Sequence, residues 1–293
     1  MSTAAPPDEW EVERLDLDAY LARIGLEAAP RPTPRGLRRL QRAHAAAIPF
    51  ENLDILLGRP IRLDLDAVQD KLVARGRGGY CYEHNLLFAA ALERIGLGVD
   101  RLSARVRMGA AVPPPPSHML LRVEAEGIDW LADAGFGGEG LLEPLPLADG
   151  AVTAAPGWNH QLSREDERVW VLRSLHADGW FDLYAFTLDP QHRVDYEVYN
   201  HYLSTHPRSS FTAGIVVQRS TPAWRLSLTG LRVVETRPDG AETVEELDGA
   251  SLAGTLRERF GIPFSDDEAA RLLARLQAER ASPSSGASSR TSS

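Results

Sequence analysis

A single cysteine, Cys81, is the residue of this chain best suited to nucleophilic catalysis. It follows a glycine-rich run at residues 75–79 and opens a strongly helical segment at residues 82–95. The free N–H groups and partial positive charge of a helix N-terminus stabilise a thiolate, the nucleophilic form of cysteine. Glycines before the helix let the backbone turn sharply into it. The pattern favours a reactive thiolate, and the alternative is a small buried hydrophobic residue.

A thiol needs a base to become a thiolate, and the best candidate among the eight histidines is His118, because the sequence predicts a carboxylate partner for it. Strands at residues 119–124 and 128–132 form a hairpin, and residues equally far from its turn face each other. We therefore expect Asp133 beside His118, with Cβ atoms about 5 Å apart. Such a carboxylate fixes the imidazole tautomer and stabilises the imidazolium. Cys81 and this pair form a candidate catalytic triad; without the cysteine they would be an ordinary His–Asp pair at a strand end.

Two further patterns suggest cofactors, and the sequence around them argues against both. Residues 135–140 match the dinucleotide fingerprint, but a hairpin strand precedes them and no helix follows, so no nicotinamide site is expected. Cys81 and His84 have the spacing of half a zinc site, but no second cysteine pair exists, so no metal site is expected. His84 is predicted to be a packing or capping residue, and His201 and His206 are placed in a loop.

The elements that must position these residues change in character along the chain. Helical periodicity marks the N-terminal part, at residues 15–24, 33–48, 64–75 and 82–95. Alternating patterns then predict strands at residues 100–108, 119–124, 128–132, 169–175, 180–186, 211–219, 225–236 and 242–247. A capping box formed by Ser265 and Glu268 predicts a last helix that ends near residue 280.

Composition and charge limit the class of protein. The chain has 293 residues, 43% of them hydrophobic, which suits two or three small domains with a shared core. Its net charge of −9 disfavours binding to nucleic acid or anionic membranes. One cysteine allows no internal disulfide, residues 1–13 lack the apolar stretch of a secretory signal, and the longest apolar run is too short for a membrane helix. We therefore expect a cytoplasmic protein.

Five motifs in register resemble those of the arylamine N-acetyltransferases. They are RGGYCYEHN at residues 77–85, IPFENL at 48–53, SHM at 117–119, DAGFG at 133–137 and STHP at 204–207. The match covers roughly residues 15–265. One departure is Ala134, where the family is expected to have valine or a similar residue; this change is too small to disturb the triad.

The resemblance implies an α+β fold in several parts around a triad core like that of the cysteine proteases. Residues 1–97 would form a helical bundle carrying the nucleophile, residues 98–206 an antiparallel β-barrel carrying the histidine and the aspartate, and residues 207–280 an α/β lid. The element pattern gives the same order independently. Residues 281–293 are predicted to be a disordered, serine-rich tail.

The resemblance also implies ping-pong transfer of acetyl from acetyl-CoA, through Cys81, to an arylamine or arylhydrazine. Acetyl-CoA would be a co-substrate, with no tightly bound cofactor. The residues implied to bind it are Arg105, Val106, Ser117, Gly135, Phe136, Gly137 and Gly138. The aromatic residues implied to form the amine pocket are Phe50, Phe136 and Phe211. The rival interpretations are a plain turn for the glycine loop and core packing for each aromatic ring.

Other functions share the same triad. An amide synthase would use it to release a longer biosynthetic acyl chain as an amide. A hydrolase or protease would pass the acyl group to water, and a binding module would keep the scaffold without catalysis. The sequence does not decide between a monomer and a homo-oligomer.

Overall fold

The computed structural model describes residues 9–153 and 157–281. The α-helices of these residues are α1 (Leu17–Arg23), α2 (Pro34–Ala47), α3 (Leu53–Leu56), α4 (Leu65–Gln69), α5 (Cys81–Arg94), α6 (Arg193–Thr205), α7 (Ser210–Ala213), α8 (Leu252–Glu258) and α9 (Asp266–Ala281). Short 3-10 helices at Val12–Arg14 and Gly249–Ser251 and a π-helical turn at Asp70–Ala74 complete the helical structure of the described residues. The strands are β1 (Phe50–Glu51), β2 (Gly98–Val106), β3 (His118–Ala125), β4 (Ile128–Ala132), β5 (Leu145–Pro146), β6 (His160–Arg164), β7 (Trp170–His176), β8 (Gly179–Phe186), β9 (Val216–Ser220), β10 (Arg225–Thr229), β11 (Arg232–Thr236) and β12 (Glu242–Glu246). Across the described ranges, no helix has the length and apolar character needed to cross a membrane.

Helix α5 is the central helix of the N-terminal part. Every residue from Cys81 to Leu92 is buried, because α5 packs against α1, α2 and α4 as well as against β2 and β3. A helix that is apolar on all sides belongs inside a core. Helix α5 therefore connects the helical part to the barrel, with Cys81 at its first position.

The barrel is an antiparallel sheet of seven described strands in the order β5-β4-β3-β2-β8-β7-β6. The chain after β5 runs along β6 at the other edge, where Gly150 N–H donates to Leu162 O at 2.9 Å and Leu162 N–H donates to Ala151 O at 2.8 Å. These hydrogen bonds nearly close the barrel. Its interior is filled by apolar side chains, among them Leu102, Leu172 and Leu183.

A second antiparallel sheet has five described strands in the order β1-β9-β10-β11-β12. Its first strand, β1, comes from the N-terminal part of the chain, whereas the other four follow the barrel. Apolar residues of α3, α8 and α9 pack with this sheet in one core cluster, which includes Leu56, Leu228, Leu256 and Leu272. The pairing of β1 with β9 therefore connects the part that carries Cys81 directly to the C-terminal part.

The predicted α+β architecture, with N-terminal helices followed by an antiparallel barrel, is confirmed. The capping box of the last helix is also confirmed, since Glu268 N–H donates to Ser265 Oγ at 3.2 Å and Ser265 N–H donates to Glu268 Oε2 at 3.0 Å. The residue limits of the three parts stay a prediction. The predicted tail lies outside the described residues, apart from Ala281, which ends α9.

Three local predictions are wrong. The strand at residues 211–219 begins with helix α7, because Ser209 caps a helical turn by accepting the Phe211 N–H at 3.2 Å. The strand at 225–236 is two strands, since Gly230, with φ of 62°, turns the chain back. His201 lies within α6 and not in a loop, and His206 caps the end of that helix.

Candidate active site

The segment that carries Cys81 turns sharply into α5. Gly78 and Gly79 permit the turn, because a Cβ on Gly78 would overlap the Pro49 carbonyl oxygen and one on Gly79 would lie 2.7 Å from Glu83 Oε2. The Glu83 carboxylate accepts the Tyr80 N–H at 3.1 Å and so caps the helix. The sequence prediction of glycines leading into a helix that starts at the cysteine agrees with this geometry.

A buried ionic cluster also holds the segment that carries Cys81. Glu51 accepts from Arg77 Nε at 2.9 Å, and Lys71 Nζ lies 2.8 Å from Glu83 Oε1 and 3.2 Å from Asp54 Oδ2. All five side chains are buried. Removing one partner of such a cluster would leave another charge buried and unpaired in a low-dielectric interior, which is strongly destabilising. The cluster therefore holds the glycine turn in one conformation.

The hairpin of β3 and β4 brings His118 and Asp133 together diagonally. Leu121 pairs with Ala132, and extending that register by one residue puts Asp133 opposite Leu120. His118 is two residues away on the same face, close enough for a hydrogen bond across the diagonal. The distance from His118 Nε2 to Asp133 Oδ2 is 2.7 Å. The structure thus brings the two residues together, but Asp133 lies opposite Leu120 and not opposite His118, two residues from the pairing expected.

The imidazole of His118 is buried between Asp133 and Cys81. Burial lowers the pKa of His118, but the charges and hydrogen bonds of Asp133 and Cys81 outweigh it and raise the pKa to about 10. The ring is therefore an imidazolium at neutral pH. Phe136 and Tyr184 each have ring centroids 5.0 Å from that of His118 and so restrict its orientation.

Asp133 accepts more hydrogen bonds than the sequence predicted. In addition to His118, Tyr184 Oη donates to Oδ2 at 2.9 Å, while Asn85 Nδ2 and Gly135 N donate to Oδ1 at 3.0 and 2.9 Å. Burial raises the pKa of Asp133, but the positive charge of His118 and these donors outweigh it, so the pKa is lowered. The group is therefore a carboxylate.

Sequence reasoning missed the roles of Asn85 and Tyr184. A signal for Asn85 was available, because it lies four residues after Cys81 and so on the same face of α5. No local signal marks Tyr184, which reaches Asp133 from β8, a strand distant in the sequence.

Cys81 is only 3% exposed, yet it lines a cavity of about 390 Å³. Its Sγ lies 3.7 Å from Ser117 O. We call this space the catalytic cavity. The residues of the sequence prediction that line it are Phe50, Cys81, Val106, Ser117, His118, Gly135, Phe136, Gly138 and Phe211.

Three predicted site residues lie elsewhere. Asp133 and Gly137 line a smaller cavity of about 30 Å³, which we call the rear cavity and which also contains His84. Arg105 is exposed, and its guanidinium donates to Pro114 O at 2.6 Å. Its side chain therefore contacts Pro114, which lines the catalytic cavity, but does not line that cavity itself.

His84 belongs to a buried chain of hydrogen bonds behind the site. Its Nε2 lies 3.2 Å from Pro49 O, its Nδ1 lies 2.9 Å from His44 Nε2, and His44 Nδ1 lies 2.8 Å from Tyr20 Oη. Because a carbonyl oxygen can only accept a hydrogen bond, His84 is protonated on Nε2. Its Nδ1 then accepts from His44 Nε2, and His44 Nδ1 accepts from Tyr20 Oη, so both imidazole rings can be neutral. Burial lowers the pKa of His84 to about 4. This arrangement supports the predicted packing role.

Gln218 was not predicted and lines both cavities. It lies on β9, where it pairs with Phe50 of β1, and its Oε1 accepts the Gly138 N–H at 2.7 Å. This pairing joins strands from opposite ends of the chain, so no local sequence pattern predicts it.

Comparisons with known proteins agree with this geometry. A family model described as N-acetyltransferase matches residues 35–269. An arylamine N-acetyltransferase of Mycolicibacterium smegmatis is 40% identical over 258 residues, which cover 86% of this chain and 94% of that protein. The solved structure of the Nocardia farcinica arylamine N-acetyltransferase superposes with a TM-score of 0.87 at 43% identity, covering 94% of this chain and 100% of that one.

A third similar protein was solved with a ligand. The Mycobacterium marinum arylamine N-acetyltransferase in complex with CoA has a TM-score of 0.83 at 37% identity, covering 90% of this chain and 99% of that one. The family model and the relatives each extend over most of the chain, and they confirm the resemblance carried by the five sequence motifs. The chain therefore belongs to the arylamine N-acetyltransferase family of acyltransferase enzymes.

Proposed function

We propose that this chain transfers acetyl from acetyl-CoA to an arylamine or arylhydrazine by a ping-pong mechanism through Cys81. One observation carries the proposal: His118 is held by Asp133 on Nε2 at 2.7 Å while it lines the same cavity as Cys81. Nδ1 is then the ring nitrogen that can exchange a proton with the Cys81 thiol. The names of the relatives and the CoA complex of one of them support the choice of substrates.

In the first half-reaction, the Cys81 thiolate attacks the thioester carbonyl of acetyl-CoA. The tetrahedral intermediate collapses with cleavage of the bond to the CoA sulfur, which takes the proton of the His118 imidazolium and leaves as a thiol. The N–H of Cys81, at the first position of α5 where no intrahelical acceptor exists, is a proposed donor to the oxyanion.

In the second half-reaction, the amine nitrogen attacks acetyl-Cys81. Neutral His118 takes the proton from the nitrogen, the bond to sulfur breaks, and the thiolate–imidazolium pair is restored. Asp133 keeps the imidazole in the required tautomer and stabilises its charged form. Weakly basic aromatic amines suit this step because they are unprotonated at neutral pH.

The catalytic cavity offers distinct surfaces to the two substrates. We assign the loop at residues 135–138, with Val106 and Ser117, to the arm of CoA. Phe50 and Phe211, whose ring centroids are 5.9 Å apart, and Phe136 provide apolar faces for the aromatic acceptor. Arg105 contributes to the CoA site indirectly, because its hydrogen bond to Pro114 O holds a loop that lines the cavity. Because the reaction needs a free thiol, we place the enzyme in a reducing compartment such as the cytoplasm.

Intact-mass spectrometry tests the mechanism. Acetyl-CoA should add one acetyl group to the wild-type chain and none to Cys81→Ala, and an arylamine should remove that group and yield the N-acetylarylamine. Rapid discharge into water without an amine would indicate a hydrolase. Labelling by a long-chain acyl thioester but not by acetyl-CoA would indicate an amide synthase. Absence of any acyl adduct would contradict the covalent mechanism.

A further inference from the structure

Gln218 faces the glycine loop of the barrel, residues 135–138, from the other sheet. Its Cα pairs with that of Phe50 across β9 and β1, and its side chain lines both the catalytic and the rear cavity. None of the catalytic steps proposed for Cys81 uses this side chain. Its position next to the reacting residues and its polar character in a largely apolar cavity require an explanation.

Strand β9 holds one residue of the loop, Gly138, at both its N–H and its carbonyl oxygen. Gly138 N–H donates to Gln218 Oε1 at 2.7 Å, and Ser220 Oγ donates to Gly138 O at 3.4 Å. A Cβ on Gly137 would overlap Oε1, and one on Gly138 would lie 3.0 Å from Nε2. Only glycines allow this close approach of backbone and amide. The position of the loop therefore depends on Gln218.

The orientation of the Gln218 amide follows from its partner. The Gly138 N–H is only a donor, so the amide atom facing it must be the oxygen. Nε2 then carries two hydrogens, and within the described ranges no protein acceptor is recorded for it. Nε2 lies beside Gly138, which lines the catalytic cavity, whereas Oε1 lies beside Gly137, which lines the rear cavity, so we take Nε2 as the donor that β9 offers to a ligand in the catalytic cavity.

The loop connects this donor to the reactive sulfur. A Cβ on Gly135 would lie 3.0 Å from Cys81 Cα, so the loop begins against the nucleophile and ends at Gln218. Three residues of chain span at most about 10 Å. The pantetheine arm of CoA carries amide carbonyls a few bonds from its sulfur, within this range.

We propose that Gln218 is a binding residue for the acyl donor, and that its Nε2 donates to an amide carbonyl of the pantetheine arm. The proposal rests on the proposed function, because it requires an acyl-CoA in the catalytic cavity. It makes Gln218 a specificity determinant: donors with a pantetheine amide gain a hydrogen bond that simple acetyl esters cannot form.

Gln218→Glu separates the two roles of the side chain, since it keeps an oxygen for Gly138 N–H and removes the Nε2 donor. We expect kcat/KM for acetyl-CoA to fall about tenfold, mainly through KM, as loss of one hydrogen bond made equally in ground and transition states predicts. With p-nitrophenyl acetate, which lacks the arm, acylation of Cys81 should change less than about twofold. Gln161→Glu, on barrel strand β6 away from both cavities, is the matched control.

Gln218→Met provides a second variant if the glutamate prevents folding, which thermal unfolding would reveal. Methionine also removes the acceptor of Gly138 N–H, so some rate should be lost with both donors, but the loss with acetyl-CoA should exceed the loss with p-nitrophenyl acetate by about tenfold. An unchanged KM for acetyl-CoA in both variants, or an equal loss with both donors, overturns the role of Gln218. Failure of acetyl-CoA to acylate the wild-type chain, while p-nitrophenyl acetate succeeds, overturns the proposed function instead. A wild-type chain that neither donor acylates overturns both.

Discussion

Tyr184 donates a hydrogen bond of 2.9 Å from its hydroxyl to Oδ2 of Asp133. The same carboxylate oxygen binds His118, so the tyrosine fixes the atom on which the orientation of the imidazole depends. Hydrogen bonds to a carboxylate are stronger than those between neutral groups. Tyr184 is thus a positioning residue that acts through Asp133.

Tyr184→Phe removes this hydroxyl and keeps the ring. We expect the rate constant for acylation by acetyl-CoA to fall about fivefold to tenfold, and the free energy of unfolding to drop by about 1–2 kcal/mol. Stopped-flow acylation and urea unfolding measure the two effects. Tyr199→Phe is the control, since the hydroxyl of Tyr199 makes a single hydrogen bond within residues 9–153 and 157–281, to Gln191 Oε1 at 3.4 Å. A loss of stability with an unchanged acylation rate would limit Tyr184 to a structural role.

Asp133→Asn tests the charge of the imidazole. Burial alone lowers the pKa of His118, and Asp133 is the largest of the influences that raise it to about 10. In the variant, the His118 pKa should therefore drop below its ordinary value, and turnover should fall on the order of a thousandfold through loss of the correct tautomer. Ring nitrogen chemical shifts, followed by NMR from pH 5 to pH 10 in about half-unit steps, report the protonation state directly.

Asp129→Asn supplies the matched control for that titration. Asp129 lies on the same strand, β4, but its carboxylate is partly exposed and lies 3.8 Å from Arg122. The Asp129→Asn variant should leave both turnover and the His118 titration unchanged. A His118 ring that titrates near its ordinary pKa in the wild-type chain would contradict the imidazolium described here.

The parts of the site that were predictable are those encoded by neighbouring residues. Glycines before Cys81 and the apolar run after it specify a helix start, and that is where α5 begins. The hairpin turn was visible at Glu126 and Gly127, which adopt φ of 54° and 75°. This local signal placed His118 close to Asp133, with an error of two residues in the pairing.

What the sequence did not predict depends on contacts between distant segments. Tyr184 and Gln218 reach the site from strands whose pairing is set by the tertiary fold. Helix α6 was missed because it is amphipathic only weakly: Val194 and Val198 are exposed on its outer face, while Tyr196 and Leu203 are buried. Alternating or helical periods are poor guides where apolar residues occur on both faces.

The buried histidines predict a loss of stability in acid. Burial lowers the pKa of both His84 and His160 to about 4, whereas the unfolded chain titrates near 6.5. The unfolded state therefore binds more protons between these values, and stability that is complete above pH 6.5 is lost as the pH falls toward 4. Each histidine should cost about 2 kcal/mol of unfolding free energy between pH 6.5 and 5.

Urea unfolding at several pH values measures the slope of the unfolding free energy against pH. His160→Gln should reduce it, because glutamine can still donate to Glu139 O, the acceptor of His160 Nε2 at 2.7 Å, without titrating. His201→Gln, at an exposed position, should leave the slope unchanged. Equal slopes for the wild type and His160→Gln would show that this histidine is not kept neutral by burial.

The ionic cluster beneath the nucleophile predicts a coupled loss of stability and reactivity. Glu51→Gln leaves Arg77 without its nearest carboxylate; in the wild type, the guanidinium nitrogen Nη2 lies 2.8 Å from Glu51 Oε1, and both side chains are buried. Breaking such a pair costs about 3–5 kcal/mol of unfolding free energy. Because Arg77 precedes Gly78 in the turn that presents Cys81, weaker binding of Arg77 should loosen that turn, and iodoacetamide labelling of Cys81 should slow.

Glu246→Gln is the control for this comparison. Its partner Arg232 lies 3.6 Å away in a pair that is more than half exposed on both sides, so the substitution should change the unfolding free energy by less than about 0.5 kcal/mol. Urea unfolding and the second-order rate of iodoacetamide labelling, measured on the same preparations, separate the two effects. If Glu51→Gln is destabilised but labels at the wild-type rate while folded, the cluster stabilises the fold without positioning the nucleophile.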